Sequence, residues 1–223
     1  MGWSSILKSL LTVFVFSILA VISVESYRCT QVVCENEKCP GSTATCETSV
    51  SCFSQIQNLE TLPPNINRVL EQKGCTSDRN TCGMEFSITL GDQQKFKHKN
   101  LCCAGDQCNR ENITLSPLSL EVNGVECPAC YNVINKTCPT TTTLKCTGAE
   151  KKCVEVTLTD RSSNFILYGK GCATDSACTL DVLFLNSGQI KASCIPAVST
   201  NGSPTLKSIA SLPIVLFLLK ISL

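Results

Sequence analysis

The sequence predicts an all-β, disulfide-rich protein built from two tandem domains, and three observations support this prediction. The 223-residue chain contains 18 Cys, a density typical of small domains that supplement a limited hydrophobic core with covalent links. These cysteines form groups of ten and eight, separated by the gap between Cys108 and Cys127, so each half has an even number. Between the two hydrophobic ends, apolar and polar residues alternate, and no segment has a helical period.

Alternating segments predict strands in both halves. Residues 84–90 alternate up to a Gly-Asp turn, which predicts a strand in the first half. Segments 154–158 and 165–168 lie on either side of a turn-like Arg-Ser-Ser-Asn sequence. Segments 180–185 and 189–193 flank Asn-Ser-Gly, which indicates a further hairpin in the second half.

The two halves are copies of one another. Lys73-Gly74-Cys75-Thr76-Ser77-Asp78 is repeated 97 residues later as Lys170-Gly171-Cys172-Ala173-Thr174-Asp175. Cys46 and Cys52 are likewise echoed by Cys146 and Cys153. Each copy is longer than the units of a stacked repeat array, so we expect a duplicated domain with two independent folding units.

The N-terminal residues 1–26 have the features of a secretory signal peptide. Lys8 precedes an apolar run over residues 10–24, and small residues follow it. Cleavage after Ser26 makes Tyr27 the first residue of the mature chain. We therefore expect export to an oxidising compartment in which disulfides persist.

The C-terminal residues 198–223 are predicted to carry the signal for a glycosylphosphatidylinositol anchor. Small residues at 199–203 precede a polar spacer and a terminal apolar run over 209–223, which is shorter than the roughly 20 residues of a membrane span. Asn201 or a neighbouring small residue is the expected attachment site, and the tail is expected to be removed. Simple secretion and a transmembrane helix are the alternatives.

The first domain is expected to cover residues 27–109 and the second residues 126–197, with a linker at 110–125. The linker contains the sequon Asn112-Ile113-Thr114, and the second domain contains Asn135-Lys136-Thr137. Both asparagines are predicted glycosylation sites on the surface of an exported protein.

Composition argues against an enzyme, a metalloprotein and a nucleic-acid-binding protein. The formal net charge of +1 is too small for a strongly basic face. The single His, His98, lies among Lys95, Lys97 and Lys99, whose charges are expected to lower its basicity, and we interpret the stretch as a solvated strand edge. We predict no catalytic residue, because a nucleophile needs an oriented base, and no metal or cofactor, because exported thiols oxidise.

Cys127-Pro128-Ala129-Cys130 has the spacing of a redox dithiol. Such a motif normally begins a helix after a strand, where the helix lowers the thiol pKa. The sequence predicts no helix here. We therefore expect both cysteines to form structural disulfides.

The segment Cys102-Cys103-Ala104-Gly105-Asp106-Gln107-Cys108-Asn109 contains two adjacent Cys, four residues and then Cys-Asn. It resembles the end of a lymphocyte antigen six / urokinase receptor domain, and the order and spacing of the ten Cys extend the resemblance. This family has a three-finger fold, in which a disulfide-bonded hub projects three β-stranded loops, so the resemblance implies two tandem three-finger domains. Glu126-Cys127-Pro128-Ala129-Cys130 is similar to the second-domain start of a two-domain branch that includes gamma-type phospholipase inhibitors and glycolipid-anchored surface proteins.

The resemblance also implies nine disulfides. In the first domain these are Cys29–Cys52, Cys34–Cys39, Cys46–Cys75, Cys82–Cys102 and Cys103–Cys108. In the second they are Cys127–Cys153, Cys130–Cys138, Cys146–Cys172 and Cys178–Cys194. The second domain lacks the adjacent Cys pair and the Cys-Asn, so its C-terminal end is expected to be more mobile than that of the first.

Together these features predict a non-enzymatic, glycolipid-anchored protein on the outer face of the plasma membrane. Its fingers are expected to bind an extracellular protein or a microbial surface, and a soluble inhibitor of secreted phospholipase is the alternative. The candidate contact residues at the second finger tip are Leu62, Pro63, Pro64, Asn65 and Ile66. A second candidate is the lysine stripe, Lys95, Lys97 and Lys99, which either meets an acidic partner or keeps an edge strand soluble.

Overall fold

The computed structural model describes residue 10 and residues 26–61, 66–80, 82–91, 94–185 and 188–198. Within these ranges the chain is almost entirely antiparallel β-sheet, which confirms the predicted fold class. The predicted signal peptide, apart from residues 10 and 26, and the proposed anchor site at Asn201 lie outside them. None of the helical residues that the structure describes belongs to a helix long and apolar enough to cross a bilayer.

The first half folds as three hairpins that share one sheet. Its strands are β1 (Tyr27–Glu35), β2 (Ala44–Thr48), β3 (Ser51–Thr61), β4 (Ile66–Thr76), β5 (Glu85–Leu90) and β6 (Lys95–Cys103). Consecutive strands pair as the first, second and third fingers. Strand β1 also pairs with β4, and β3 with β6, so the three fingers lie side by side.

The second half repeats this connectivity. Its strands are β7 (Val122–Asn132), β8 (Thr142–Thr147), β9 (Lys152–Asp160), β10 (Phe165–Ala173), β11 (Thr179–Phe184) and β12 (Gly188–Ile195). A single 3-10 turn at Asp175–Ala177 precedes β11. The pairs β7–β8, β9–β10 and β11–β12 form the fingers, and β10–β7 and β12–β9 join them.

Alternation along the predicted strands matches their burial. On β9, Val154, Val156 and Leu158 are buried, whereas the intervening Glu155 and Thr157 are partly exposed. The segments predicted at 84–90, 154–158, 165–168, 180–185 and 189–193 all correspond to strands. Alternation identifies the buried apolar face of strands such as β9, whereas on β10 the consecutive residues Leu167, Tyr168 and Gly169 are all buried.

The two halves join through β5 of the first half and β10 of the second, and we call this pairing the seam. The last part of β10 pairs with β5, with Gly171 opposite Leu90 and Ala173 opposite Ile88. The preceding part of β10 pairs with β7. The twelve strands of the described residues therefore form one continuous sheet.

The halves also share one hydrophobic core. Phe86, Ile88 and Leu90 of β5 and Phe96 of β6 belong to the same buried cluster as side chains from β9, β10, β11 and β12. The two halves therefore share one core in the folded chain, and independent folding of each half stays a prediction. The apolar face of the third finger is covered by strands of the second half, so neither half buries its core alone.

All 18 cysteines lie in the described residues and form nine disulfides, with no free thiol. The linked pairs are those implied by the family resemblance. Cys127 joins Cys153, and Cys130 joins Cys138, so the Cys-x-x-Cys segment is divided between two structural disulfides.

Candidate functional site

The tip of the second finger falls mainly outside the described residues. Strands β3 and β4 pair without interruption from Ser51 opposite Thr76 to Thr61 opposite Ile66. Leu62, Pro63, Pro64 and Asn65 are not described, and neither is the side chain of Ile66. Their role in ligand contact stays a prediction.

The lysine stripe lies on β6, which is an interior strand. Strand β6 pairs with β3 on one side and with β5 on the other. The expectation of a strand edge is therefore wrong, because the third finger is inserted between the second finger and the second half of the chain. Lys95, Lys97 and Lys99 are partly buried.

Two carboxylates of the same chain face this stripe. The Nζ atom of Lys99 lies 3.4 Å from a carboxylate oxygen of Glu85. Ser116 of the linker donates a hydrogen bond to the other oxygen, and this bond, together with the charge of Lys99, lowers the pKa of Glu85 despite partial desolvation.

The second carboxylate belongs to Glu150, in the turn between β8 and β9. Its side chain is only 2% exposed and accepts a hydrogen bond of 3.1 Å from Thr89 of β5. Burial raises the pKa of Glu150, while hydrogen bonds from Ser87 and Thr89 and the charges of Lys95 and Lys97 oppose that shift. Sequence reasoning missed this contact, since a lone Glu in a turn carries no sign of burial.

A cleft of about 340 Å³ lies between the third finger, the linker and the second half. Its walls include Phe86, Lys97, Leu115, Pro117 and Leu118. The linker therefore lies along the third finger, and Lys97, the middle lysine of the stripe, lines this cleft. The cleft therefore contains a lysine, Lys97, and a carboxylate, Glu85, beside apolar and hydroxyl side chains.

His98 is part of the core rather than of a solvated edge. It is 4% exposed and stacks on Phe86 with ring centroids 5.0 Å apart. Burial lowers the pKa of His98 to about 4. The expectation of reduced basicity is thus met, but the assigned cause is wrong, because desolvation and not the neighbouring lysines lowers the pKa.

Gln57 connects His98 to the second half. The Nε2 atom of Gln57 lies 3.2 Å from Nδ1 of His98 and donates to the backbone oxygen of Leu183 at 3.0 Å. Its Oε1 atom accepts from the backbone N–H of Leu185 at 2.6 Å. The His98 ring is therefore shielded from solvent and held by an amide, an environment suited to packing rather than to proton transfer.

Gln57 is a second residue that sequence analysis did not identify. It is 1% exposed, whereas Gln55 and Leu59, its neighbours on the same face of β3, are only partly buried. Alternation predicts which apolar residues are inside, but it does not distinguish a buried amide from an exposed one. A sequence signal for this contact is lacking.

The linker begins at a lysine anchor. Lys73 of β4 is 8% exposed, and its Nζ atom donates to the backbone oxygens of Arg110 and Glu111. It also donates to Oδ1 of Asn112 at 2.7 Å. Asn112 and Asn135, the two predicted glycosylation sites, are both exposed.

Two groups of three sulfur atoms lie close together at the hubs, formed by Cys29, Cys46 and Cys75 and by Cys127, Cys146 and Cys172. Each of these sulfurs is bonded to another sulfur. A metal ligand must be a thiolate, so these atoms act as covalent staples.

Comparison with known proteins gives consistent relatives over most of the chain. No family model matches it. Protein RoBo-1 of Rattus norvegicus is 43% identical over 215 residues, which cover 95% of this chain and 86% of RoBo-1. Ly6/PLAUR domain-containing protein 8 of Bos taurus is 28% identical over 183 residues, covering 79% of this chain and 77% of that protein.

Phospholipase A2 inhibitor NAI of Notechis ater is 32% identical over 151 residues, covering 64% of this chain and 72% of the inhibitor. Among solved structures, the crystal structure of mouse TEX101 matches with a TM-score of 0.34 and 15% identity, covering 69% of this chain and 85% of the TEX101 chain.

Proposed function

We propose that this chain, which belongs to the lymphocyte antigen six / urokinase receptor (three-finger) family, binds another extracellular macromolecule through its finger surfaces. The main observation supporting this proposal is the disulfide framework, which links every cysteine and holds six hairpins in one sheet. Such a framework presents loops from a rigid base, the arrangement in which binding residues are commonly found. The burial of His98 beneath Gln57 supports a binding role over a catalytic one.

The proposed contact region is the second finger tip at residues 62–66. Cross-linking of full-length protein on living cells, followed by identification of the linked extracellular proteins, tests this assignment. Replacement of 62–66 by Gly and Ser should abolish the specific cross-link. The same replacement at 161–163, the corresponding finger turn of the second half, is the matched control and should retain it. Equal capture by both variants would move the contact away from the second finger.

A glycolipid anchor at Asn201 or a neighbouring small residue is the proposed attachment to the membrane. Phosphatidylinositol-specific phospholipase should release the full-length protein from expressing cells into the medium. A variant with Leu at 201–203 should no longer yield a releasable surface form. Retention of the natural chain on treated cells would contradict the anchor.

Glycans at Asn112 and Asn135 belong to the same proposal, since both side chains are exposed on the surface of an extracellular chain. Peptide N-glycosidase should lower the apparent mass of the protein by two steps. N112Q and N135Q should each remove one step, and an unchanged mass in either variant would remove that site.

Inhibition of a secreted phospholipase is the second candidate, and the resemblance to Phospholipase A2 inhibitor NAI supports it. Protein released from cells by the anchor-cleaving enzyme should then reduce the activity of at least one member of a panel of secreted phospholipases A2. The phospholipase used for release must be removed first. Full activity throughout the panel would eliminate this candidate and leave the general binding role intact.

A further inference from the structure

Strand β11 is an end strand of the sheet. The sheet is curved, so that β11 faces β3 of the second finger across a gap. Gln57 of β3 reaches the backbone of Leu183 and Leu185 at the end of β11. Inside the curve, Phe96 of β6 lies 5.6 Å from Phe184 of β11, measured between ring centroids. The two strands therefore approach each other without backbone pairing, and a side chain bridges the space between them.

Gln57 occupies this space in the manner of a peptide group. Its Nε2 donates to the oxygen of Leu183, and its Oε1 accepts from the N–H of Leu185. One residue of a parallel neighbour strand would bind the same two groups, the C=O of one residue and the N–H of the residue two positions later. The outer edge of β11 therefore already binds one amide that does not belong to its own hairpin.

The rest of this edge is open. Residues of an antiparallel strand alternate in the direction of their backbone groups, so Thr179 and Asp181 direct their N–H and C=O groups the same way as Leu183. In the part of the chain that the structure describes, no partner is found for these outward groups of Thr179 and Asp181. They are available for pairing with an added strand.

A cavity of about 350 Å³ lies beside this edge, within the size range of binding pockets. Its lining includes Asp181 and Leu183 and, on the opposite wall, Gln72, Gln55 and Asn100. These three amides lie in register on β4, β3 and β6, and Gln55 donates to Gln72 at 3.1 Å. The cavity therefore lies between residues of β11, including the acidic Asp181, and a group of neutral amides.

We propose that this gap binds an extended peptide segment of the partner protein, which adds to β11 as an antiparallel or parallel strand. The inference rests on the proposed binding function and names its site. The edge from Thr179 to Leu183 covers about 13 Å at about 3.3 Å per residue, enough for a segment of four or five residues. Backbone pairing supplies affinity, and the amide wall favours uncharged polar side chains such as Asn, Gln, Ser or Thr.

Asp181→Pro tests the strand addition directly. Proline removes the outward N–H of Asp181, and proline is tolerated on an edge strand when that N–H takes no part in the existing ladder. Lys191→Ala is the matched control, because it breaks the ion pair between Lys191 and Asp181 but leaves the outward N–H of Asp181 in place. Thermal unfolding of both variants establishes that they remain folded.

The probes are synthetic peptides selected on the full-length protein from a display library of random dodecapeptides. We expect binding to K191A within threefold of the natural chain and binding to D181P at least tenfold weaker. Peptide binding should also slow amide hydrogen exchange at Asp181 and Leu183 in the natural chain, a readout that needs no variant.

Any of three results would overturn the proposal. The library yields no binding peptide, a selected peptide binds D181P as well as the natural chain, or the peptide protects amides only on strands other than β11. Concentration-dependent self-association that D181P abolishes would assign the edge to a second copy instead, and would also overturn it. If D181P still cross-links its partner on cells, the site is wrong while the proposed function stands. If the natural chain itself gives no specific cross-link to an extracellular protein, the proposed binding function is contradicted.

Discussion

The two copies of the Lys-Gly-Cys segment have the same sequence but lie in different surroundings. A Cβ atom added to Gly74 would lie 3.1 Å from the ring of Phe53, a side chain that can shift. A Cβ atom added to Gly171 would lie 2.0 Å from the backbone oxygen of Thr89. The first glycine permits close packing of one side chain, whereas the second permits the seam itself.

The lysines of the two segments differ in the same way. Lys73 is buried and binds three oxygen atoms at the start of the linker. Lys170 forms a partly exposed ion pair with Glu155 at 3.6 Å. Only the second copy of the segment pairs with a strand of the other half, so the same three residues have different neighbours in the two copies.

The C-terminal ends of the two halves are also held by different hydrogen bonds. Asn109 is 4% exposed, accepts from the N–H of Thr30 and donates to the oxygens of Thr30 and Phe53. The second half has no matching Asn, and its Pro128, which follows Cys127 as Thr30 follows Cys29, has no N–H to satisfy. In place of an Asn clamp, the backbone N–H of Val198 donates to Glu126.

Substitution of the paired glycines should give the largest difference between the halves. We expect Gly171→Ala to reduce the free energy of unfolding by at least about 3 kcal/mol, because backbone atoms of β5 cannot move aside without opening the seam. Gly74→Ala should cost about 1 kcal/mol, because the Phe53 ring can adjust. Chemical denaturation with intact disulfides measures both values, and equal losses would show that the seam does not depend on Gly171.

Acid should reduce the free energy of unfolding, because protonation of the buried His98 is unfavourable in the folded chain. The folded chain lowers the pKa of His98 from 6.5 to about 4, so the unfolded chain binds more protons between these values. Stability is therefore full above pH 6.5 and falls as the pH decreases towards 4, by at most about 3 kcal/mol. The measurement is the free energy of unfolding at several pH values.

His98→Gln is the control for this pH effect. Glu85, whose pKa is lowered, loses its own stabilising contribution in stronger acid, so the difference between the natural chain and H98Q isolates the histidine. We expect that difference to change between pH 6.5 and 4. Parallel pH profiles would mean that the folded and unfolded chains protonate His98 alike.

Replacement of the paired lysines should give the smallest of the three effects. Lys73→Met should reduce the free energy of unfolding by about 2 kcal/mol, because the backbone oxygens at Arg110 and Glu111 lose a charged donor. Lys170→Met should change it by no more than about 0.5 kcal/mol, since a partly exposed ion pair contributes little. Chemical denaturation measures the free energy of unfolding of both variants. A larger loss in K170M than in K73M would contradict the expected difference between the two lysines.

The sequence predicts the strands because alternation reports which face is buried. The pattern of Phe86, Ile88 and Leu90 is by itself enough to mark an apolar face on β5. Alternation does not say what covers that face, and for this reason it does not predict the seam with β10. The nine cysteine pairs are implied by family resemblance, since spacing alone leaves many pairings open.

The candidate site is predicted less well than the fold. Alternating lysines at 95, 97 and 99 have the same pattern on an interior strand as on an edge, so their pairing on both sides could not be read from sequence. Gln57 and Glu150 are buried polar residues whose partners lie in the other half. Contacts of this kind depend on the relative placement of the halves, which no local pattern encodes.

The seam has a consequence for the order in which the chain acquires its structure. Gly171 pairs with Leu90 but follows it by 81 residues, so at about 5–20 residues per second the ribosome delivers it roughly 4–16 s later. Meanwhile the first half can close its five disulfides while Phe86, Ile88 and Leu90 still lack their cover. If the first half closes first, this apolar face stays exposed until the second half has been synthesised, a state in which apolar surface favours aggregation.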